Sequence, residues 1–378
     1  MPYWRLSSFY FFYFAVLGVL VPYWGLFLQH RGFDAVQIGQ LMAILMATKI
    51  VAPNIWGWLG DHLGHRMRIV RAASLASLLV FGLMFVANDF WTVALAMALY
   101  SFFWNASLPQ FEVVTLNYLG PRASRYARIR AWGSIGFIVA VVVLGILVDR
   151  LGTEVVLPAV MMIFVSIWIA SLTVGDPGPQ AHPDEQPSLM SQLRRPAILA
   201  FLAAVMLMQA SHGPYYAFYS IYMEDHGYSK TLIGQLWALG VLAEVAIFMV
   251  MHRLLERFGA RRVLIASLLL AAVRWLLIGY FPDILWLLLI SQLLHAATFG
   301  TFHGAAIDLV HRHFPGRLQG RGQALYSSMS FGLGGALGSL ASGFTWDGLG
   351  PQWSFLLAAL VALLGAVVAI RLDGAPDH

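Results

Sequence analysis

Long apolar runs recur so often along this chain that a soluble fold is ruled out at the start. About twelve stretches approach or exceed the roughly 20 residues that cross a hydrocarbon core, with mostly short polar loops between them. They fall at about 6–28, 36–58, 69–87, 91–118, 130–148, 154–173, 197–223, 230–251, 263–281, 284–310, 321–345 and 351–371. In lipid the backbone must satisfy its own hydrogen bonds, so runs of this length are read as helices. Only 11% of the residues are charged, against roughly 25% in soluble domains. The expectation is an all-α membrane protein with twelve transmembrane helices. The chain has no cysteine, which excludes disulfides, thiol catalysis and Cys-ligated metals. No small-residue cleavage site ends the first run, so no removable signal peptide is expected.

One long polar segment, 174–196, interrupts the pattern and carries Pro177, Pro179, Pro183, Pro187 and Pro196. It reads as a linker between two six-helix bundles, 1–173 and 197–378. Loop charges set the orientation. With the N-terminus inside, 18 of the 23 basic residues lie on the cytoplasmic side, and only Arg31, Arg150 and Lys230 lie outside. That bias predicts both termini in the cytoplasm. The net charge of +5 therefore reflects topology, and no nucleic-acid partner is expected.

The halves echo each other. Gly57-Trp58-Leu59-Gly60-Asp61-His62-Leu63-Gly64-His65-Arg66 lies between the second and third runs. Glu256-Arg257-Phe258-Gly259-Ala260-Arg261 repeats its acid–basic–apolar–Gly–x–Arg core 195 residues later. Asp149-Arg150-Leu151-Gly152 is likewise echoed by Asp347-Gly348-Leu349-Gly350. A parallel duplication with a site at the interface is a known transporter plan. Gly57 and Gly64 would permit close helix approach and a tight turn, Asp61 would cap the next helix or pair with an arginine, and Arg66 would face headgroups. The loop is either a cytoplasmic latch or a topology signal. The decamer resembles the signature loop of the major facilitator superfamily, with His62 where that family usually has a basic residue. The resemblance implies the major facilitator fold and a secondary transporter in a bacterial inner membrane.

Ionisable residues inside spans are costly and usually functional. Glu112 interrupts the fourth run, and Arg130-Ala131-Trp132-Gly133-Ser134-Ile135-Gly136-Phe137 opens the fifth. Glu112 and Arg130 either hold a polar solute beside Phe137 or form an ion pair near the inner face. The Glu–x17–Arg spacing, with serine and an aromatic after it, is similar to the sugar site of the lactose permease subfamily. Lys49 sits mid-span in the second run and either pairs with Glu112 or binds an anion. Glu244, Arg274 and His295 lie near mid-membrane on consecutive runs and would form either a proton relay or a static network.

This trio also resembles the proton-coupling region of lactose permease. Thr298 stands here where that family has a glutamate, leaving Glu244, His295 or His303 to carry the proton. His295 and His303 lie eight residues apart, about 80° around an α-helix, and no metal site is expected from the histidines. Gln209-Ala210-Ser211-His212-Gly213-Pro214-Tyr215-Tyr216-Ala217-Phe218, with Trp237, Glu244, Val273-Arg274-Trp275 and Gln292–His295, looks like the bacterial 3-phenylpropionate permease branch. An aromatic carboxylate needs one cation and a ring-lined cavity. Arg130, Lys49 or Arg274 would supply the first; Tyr215, Tyr216, Phe218, Trp237 and Phe137 would supply the second.

The sequence thus points to a monomeric, proton-coupled symporter importing a small organic solute. It would use the proton gradient and no cofactor, with membrane lipid around it. A galactoside or nucleoside symporter, an exporter, and a membrane solute sensor are the alternatives. An enzyme is not expected, because no nucleophile–base pair or ligand cluster stands at close spacing.

Overall fold

The computed structural model describes residues 2–176 and 193–372, so most of the expected linker, with Pro177, Pro179, Pro183 and Pro187, falls outside the described residues. Within them every regular element is helical. Ten helices among the described residues are long and apolar enough to cross a membrane. Two of the expected twelve fall short for physical reasons. Phe90–Leu119 has the length, at 30 residues, but Ser101, Asn105, Ser107 and Gln110 dilute its apolar face and are buried. The expected eleventh span is cut into Gln319–Ser327, a π-helical turn Ser328–Gly334 and Gly335–Leu349. Large apolar side chains such as Trp91, Leu79 and Met162 lie more than half exposed, a surface suited to hydrocarbon and not to water.

Two compact units result, Met1–His182 with Gly227–Ala238, and Pro183–His226 with Leu239–His378. In the first, the helices are α1 (Tyr3–His30), α2 (Ala35–Leu63), α3 (Arg66–Phe81), α4 (Phe90–Leu119), α5 (Tyr126–Leu151) and α6 (Val156–Thr173). Local signals explain their ends. Asp34 and Gln37 form a reciprocal capping box at the start of α2, with bonds of 2.8 and 3.1 Å. Asp89 caps α4 through the amides of Trp91 and Thr92. The Thr92 hydroxyl, with these amides, holds the Asp89 carboxyl below its ordinary pKa. Gly64 closes α2 at φ +66°, where a β-carbon would be strained.

α1 lies against α5 with almost no side chain between them. A β-carbon on Gly136 would fall 2.0 Å from the Phe11 carbonyl oxygen, and one on Gly18 would fall 2.5 Å from that of Phe137. The same pairing recurs in the second unit between its first and fifth span positions. There a β-carbon on Gly338 would fall 2.3 Å from the Ala210 carbonyl oxygen, and one on Gly334 would fall 2.4 Å from that of Met206. Small residues at such crossings let backbones touch where lipid offers no hydrophobic drive.

In the second unit three expected spans are broken. The seventh stops at Ser211 and restarts at Gly213, giving Pro196–Ser211 and Gly213–Asp225. The tenth runs as Leu285–Leu293, a π turn at Ala296–Thr301, and Phe302–His313. The eleventh is the path already described. The helix Lys230–Phe248 begins in the first unit and ends in the second. Asp149, near the end of α5, accepts from the amides of Lys230 and Thr231 at 2.8 and 2.7 Å and from the Thr231 hydroxyl at 2.5 Å. A carboxylate 81 positions away thus caps that helix. Tyr23 adds bonds to the carbonyls of Val141 and Lys230.

Candidate functional site

The loop motif is held by its charges. Asp61 pairs with Arg66, and Arg66 also donates to Gln110 Oε1 on α4 at 2.6 Å. Gln110 in turn donates to the Trp56 carbonyl at 3.1 Å. Of the two roles open to Asp61, the arginine partner is realised; α3 begins without a side-chain cap. The expected close approach at Gly57 is not found, since nothing lies within 4 Å of a β-carbon there. It falls instead on Gly60, where a β-carbon would meet Gln110 Oε1 at 2.5 Å. The two glycines lie three positions apart, about 60° around the helix, and it is Gly60 that faces Gln110 on α4.

Glu112 and Arg130 are not joined as an ion pair among the described residues. Glu112 accepts a hydrogen bond from the Tyr126 hydroxyl at 2.9 Å. Arg130 lies over the Phe14 ring, with Cζ 3.7 Å from its centroid, a cation–π contact worth about 0.5–2 kcal/mol. The aromatic stretch Tyr10-Phe11-Phe12-Tyr13-Phe14 was the available signal for that partner, and its bearing on Arg130 depends on the α1–α5 register. Phe137 is half-buried, with its backbone against Gly18.

Lys49 stands at the midpoint of α2. No ion pair joins it to Glu112 among the described residues. Its ammonium lies 3.6 Å from the Met46 sulfur, a weak acceptor. It lines a cleft with Leu17, Leu20, Val21, Met42, Met46 and Trp104. The Trp104 indole N–H is buried and has no hydrogen-bond partner among the described residues. A weakly paired ammonium and an unpartnered indole N–H therefore belong to the lining of one apolar cleft, where orphaned polar groups are expensive.

The second cluster is a chain of contacts within the second unit. Arg274 is fully buried. Its Nε donates to the Ser291 carbonyl at 2.8 Å. One terminal nitrogen donates to Thr298 Oγ1 at 2.9 Å and His295 Nδ1 at 3.1 Å, and the other to Gln292 Oε1 at 3.3 Å. The guanidinium also lies 4.2 Å from the Tyr215 ring centroid and 4.9 Å from that of Trp275. His295 Nε2 reaches Glu244 Oε2 at 3.5 Å. Arginine only donates, so His295 Nδ1 is the acceptor and the ring proton sits on Nε2, facing Glu244. The expected trio is brought together with His295 as the middle member. Thr298, where the resemblance placed a carboxylate, is instead an acceptor for Arg274.

The expected ring pocket is less uniform. Tyr215 is buried and donates to Gln292 Oε1 at 2.8 Å, so it belongs to the Arg274 group. Tyr216 stacks on His212 at 5.4 Å, Phe218 stacks on Trp346 at 4.7 Å, and Trp237 is buried in the first unit. His303 Nδ1 bonds the Tyr326 hydroxyl at 2.9 Å. Tyr126, Phe14, Trp104, Gln292, Ser291 and Tyr326 are partners that composition alone did not mark.

Comparison with known proteins places this geometry among transporters. The profile of the family described as "MFS_1 like family" matches residues 3–357. A protein of Escherichia coli (strain K12) named "probable 3-phenylpropionic acid transporter" is 31% identical over 375 residues, covering 94% of each chain. The maltose permease of Geobacillus stearothermophilus is 26% identical and covers 96% of this chain and 93% of its own. Among solved structures, a mutant of the nucleoside transporter NupG superposes with a TM-score of 0.87 at 17% identity, over 98% of this chain and 99% of that one.

Proposed function

Because the chain belongs to the MFS_1 like family, a multi-pass transporter family and not one of enzymes, we propose that it is a proton-coupled importer of a small carboxylate with an apolar body, such as 3-phenylpropionate. In this reading twelve spans cross the bacterial inner membrane with both termini inside. Residues 1–173 and 197–378 form the two bundles, 174–196 links them, and the protein works as a monomer by alternating access.

The observation that carries the substrate reading is the Lys49–Trp104 cleft. Of the three cations expected to meet a carboxylate, Arg274 already serves four acceptors. Arg130 is laid on Phe14. Among the described residues Lys49 meets a thioether, beside an indole N–H that has no partner there. A carboxylate entering this cleft satisfies both donors, and the leucines and methionines around them suit an apolar chain or ring. The relative that transports 3-phenylpropionic acid by name supports the same class.

Coupling rests on Glu244. His295 Nδ1 is occupied by Arg274, so a second proton on that ring would cost the arginine bond. Glu244, whose Oε2 lies 3.5 Å from His295 Nε2, is the group assigned to change its protonation as the solute moves. The test uses lightly buffered proteoliposomes, with external pH followed on adding 3-phenylpropionate, a galactoside or a nucleoside. Alkalinisation with 3-phenylpropionate alone is expected; alkalinisation with a sugar or nucleoside alone overturns the carboxylate assignment. Lys49→Gln should weaken 3-phenylpropionate counterflow affinity about 10–100-fold, the worth of one charged hydrogen bond at about 1.5–3 kcal/mol. The variant should leave the thermal unfolding temperature unchanged or higher. An unchanged affinity moves the anion site away from α2.

A further inference from the structure

Each helix that brings a polar group to the Lys49–Trp104 cleft also carries a proline in its interior, Pro53 in α2 and Pro109 in α4. Proline has no N–H, so the carbonyl four residues earlier loses its helical donor. For Pro53 that carbonyl belongs to Lys49, and for Pro109 it belongs to Asn105. Both stand at the middle of their helices, Ala35–Leu63 and Phe90–Leu119, where lipid offers no water to replace the bond. The two positions meet at one crossing. Asn105 Nδ2 donates to Thr48 Oγ1 at 3.0 Å, Thr48 directly precedes Lys49, and Trp104 directly precedes Asn105. Lys49 and Trp104 themselves line the cleft.

Membrane helices tolerate such prolines when neighbouring serines, threonines or waters take up the freed carbonyls. The side-chain donors at this crossing are turned elsewhere. The Thr48 hydroxyl faces the Leu45 carbonyl and Ser101 Oγ, each at 3.0 Å, and Ser101 donates to the Met97 carbonyl at 2.6 Å. Asn54, beside Pro53, serves the Ile50 carbonyl at 2.8 Å, and Gln110, beside Pro109, serves that of Trp56 at 3.1 Å. Among the described residues no side chain donates to the carbonyl of Lys49 or Asn105. Proline-interrupted spans with freed backbone carbonyls are a pointer to the binding site of a transporter.

We propose that the cleft takes a hydroxylated aromatic acid, its carboxylate on the Lys49 ammonium and its hydroxyl donating to the carbonyls that Pro53 and Pro109 free. The inference rests on the carboxylate reading above and adds the second polar group of the solute. The donor has to be uncharged, because a second ammonium in an apolar cleft would be repelled by that of Lys49. A phenol meets this need. Its pKa is about 10, as in tyrosine, so it keeps its proton at neutral pH, and its ring fills the same apolar space as a phenyl group.

The experiment is competition against labelled 3-phenylpropionate counterflow in proteoliposomes, with the meta- and para-hydroxyphenyl analogues and their methyl ethers as competitors. At least one phenol should bind about 3–10-fold more tightly than 3-phenylpropionate, the worth of one added neutral hydrogen bond. Its methyl ether, which keeps the oxygen but has no proton to give, should gain nothing. Pro53→Ala and Pro109→Ala each restore a backbone N–H, and alanine is the better helix former. The variant with both exchanges should lose the phenol preference while binding 3-phenylpropionate within about twofold of the parent. If that variant loses 3-phenylpropionate counterflow, the single exchanges decide, and at least one of them must lower the preference. Equal binding of the phenols and 3-phenylpropionate by the parent protein overturns the hydroxyl subsite. So does a preference shared by the methyl ethers, or one that survives both exchanges. The carboxylate reading is judged separately. It fails if 3-phenylpropionate shows no counterflow or if Lys49→Gln leaves its affinity unchanged, whereas the subsite fails with that counterflow and its dependence on Lys49 intact.

Discussion

Arg274→Ala is expected to abolish uphill accumulation of solute while counterflow persists. The guanidinium is fully buried and serves the Ser291 carbonyl, Gln292, His295 and Thr298 together. Removing it takes a donor from the Ser291 carbonyl, His295 Nδ1 and Thr298 Oγ1, each worth about 1–3 kcal/mol if buried and unsatisfied, while Gln292 Oε1 keeps the Tyr215 hydroxyl. It also frees His295 Nδ1, so the imidazole can take a proton and hold the Glu244 carboxylate in its charged form. Counterflow needs no net proton movement and should survive. Glu112→Ala should cost less accumulation, because among the described residues Glu112 accepts one hydrogen bond, from the Tyr126 hydroxyl. The measurement is accumulation against counterflow in the same vesicles. Normal accumulation by Arg274→Ala would sink the relay assignment.

The second large effect is structural. Gly136→Ala should lower yield and thermal stability sharply, although alanine is the better helix former. Its β-carbon would sit 2.0 Å from the Phe11 carbonyl oxygen and 2.7 Å from the carbonyl carbon. Those are backbone atoms of a neighbouring helix and cannot swing aside, so α1 and α5 must part. Overpacking of this kind costs about 1–3 kcal/mol, occasionally more. Gly57→Ala is the internal control. With nothing within 4 Å of the new atom, it should be neutral or stabilise by up to about 1 kcal/mol. Thermal unfolding in detergent separates the two, and equal effects at both glycines would refute the close-packing argument.

The apolar runs made the helices legible because a span must be long, apolar and internally hydrogen-bonded; their breaks were not legible in the same way. Nothing in Ala296–Thr301 or Ser328–Gly334 announces a π turn, since that geometry is chosen by neighbours and not by composition. The buried charges were legible because their presence in a span is costly. Their partners were less so. Arg274 was expected near Glu244, and the contact found between them runs through His295. The acceptors Gln292, Ser291 and Thr298 carry no charge to draw attention. Glu112 and Arg130 suggested a pair by sign and spacing, yet the ring of Phe14 and the hydroxyl of Tyr126 take those places. Which glycine of the loop motif faces a neighbour depends on helix rotation, and so Gly57 stood in for Gly60.

The cap that Asp149 provides has a consequence for how the chain is made. Tyr23, Gly145 and Asp149 emerge from the ribosome early, but Lys230, Thr231 and Gly234, which they touch, come some 80 residues after Asp149. A nascent chain halted at the linker lacks a wall of its own first unit. Biogenesis of that unit is therefore not finished when its six helices have been inserted. It ends when a helix from the later half arrives and its first turn docks on a waiting carboxylate.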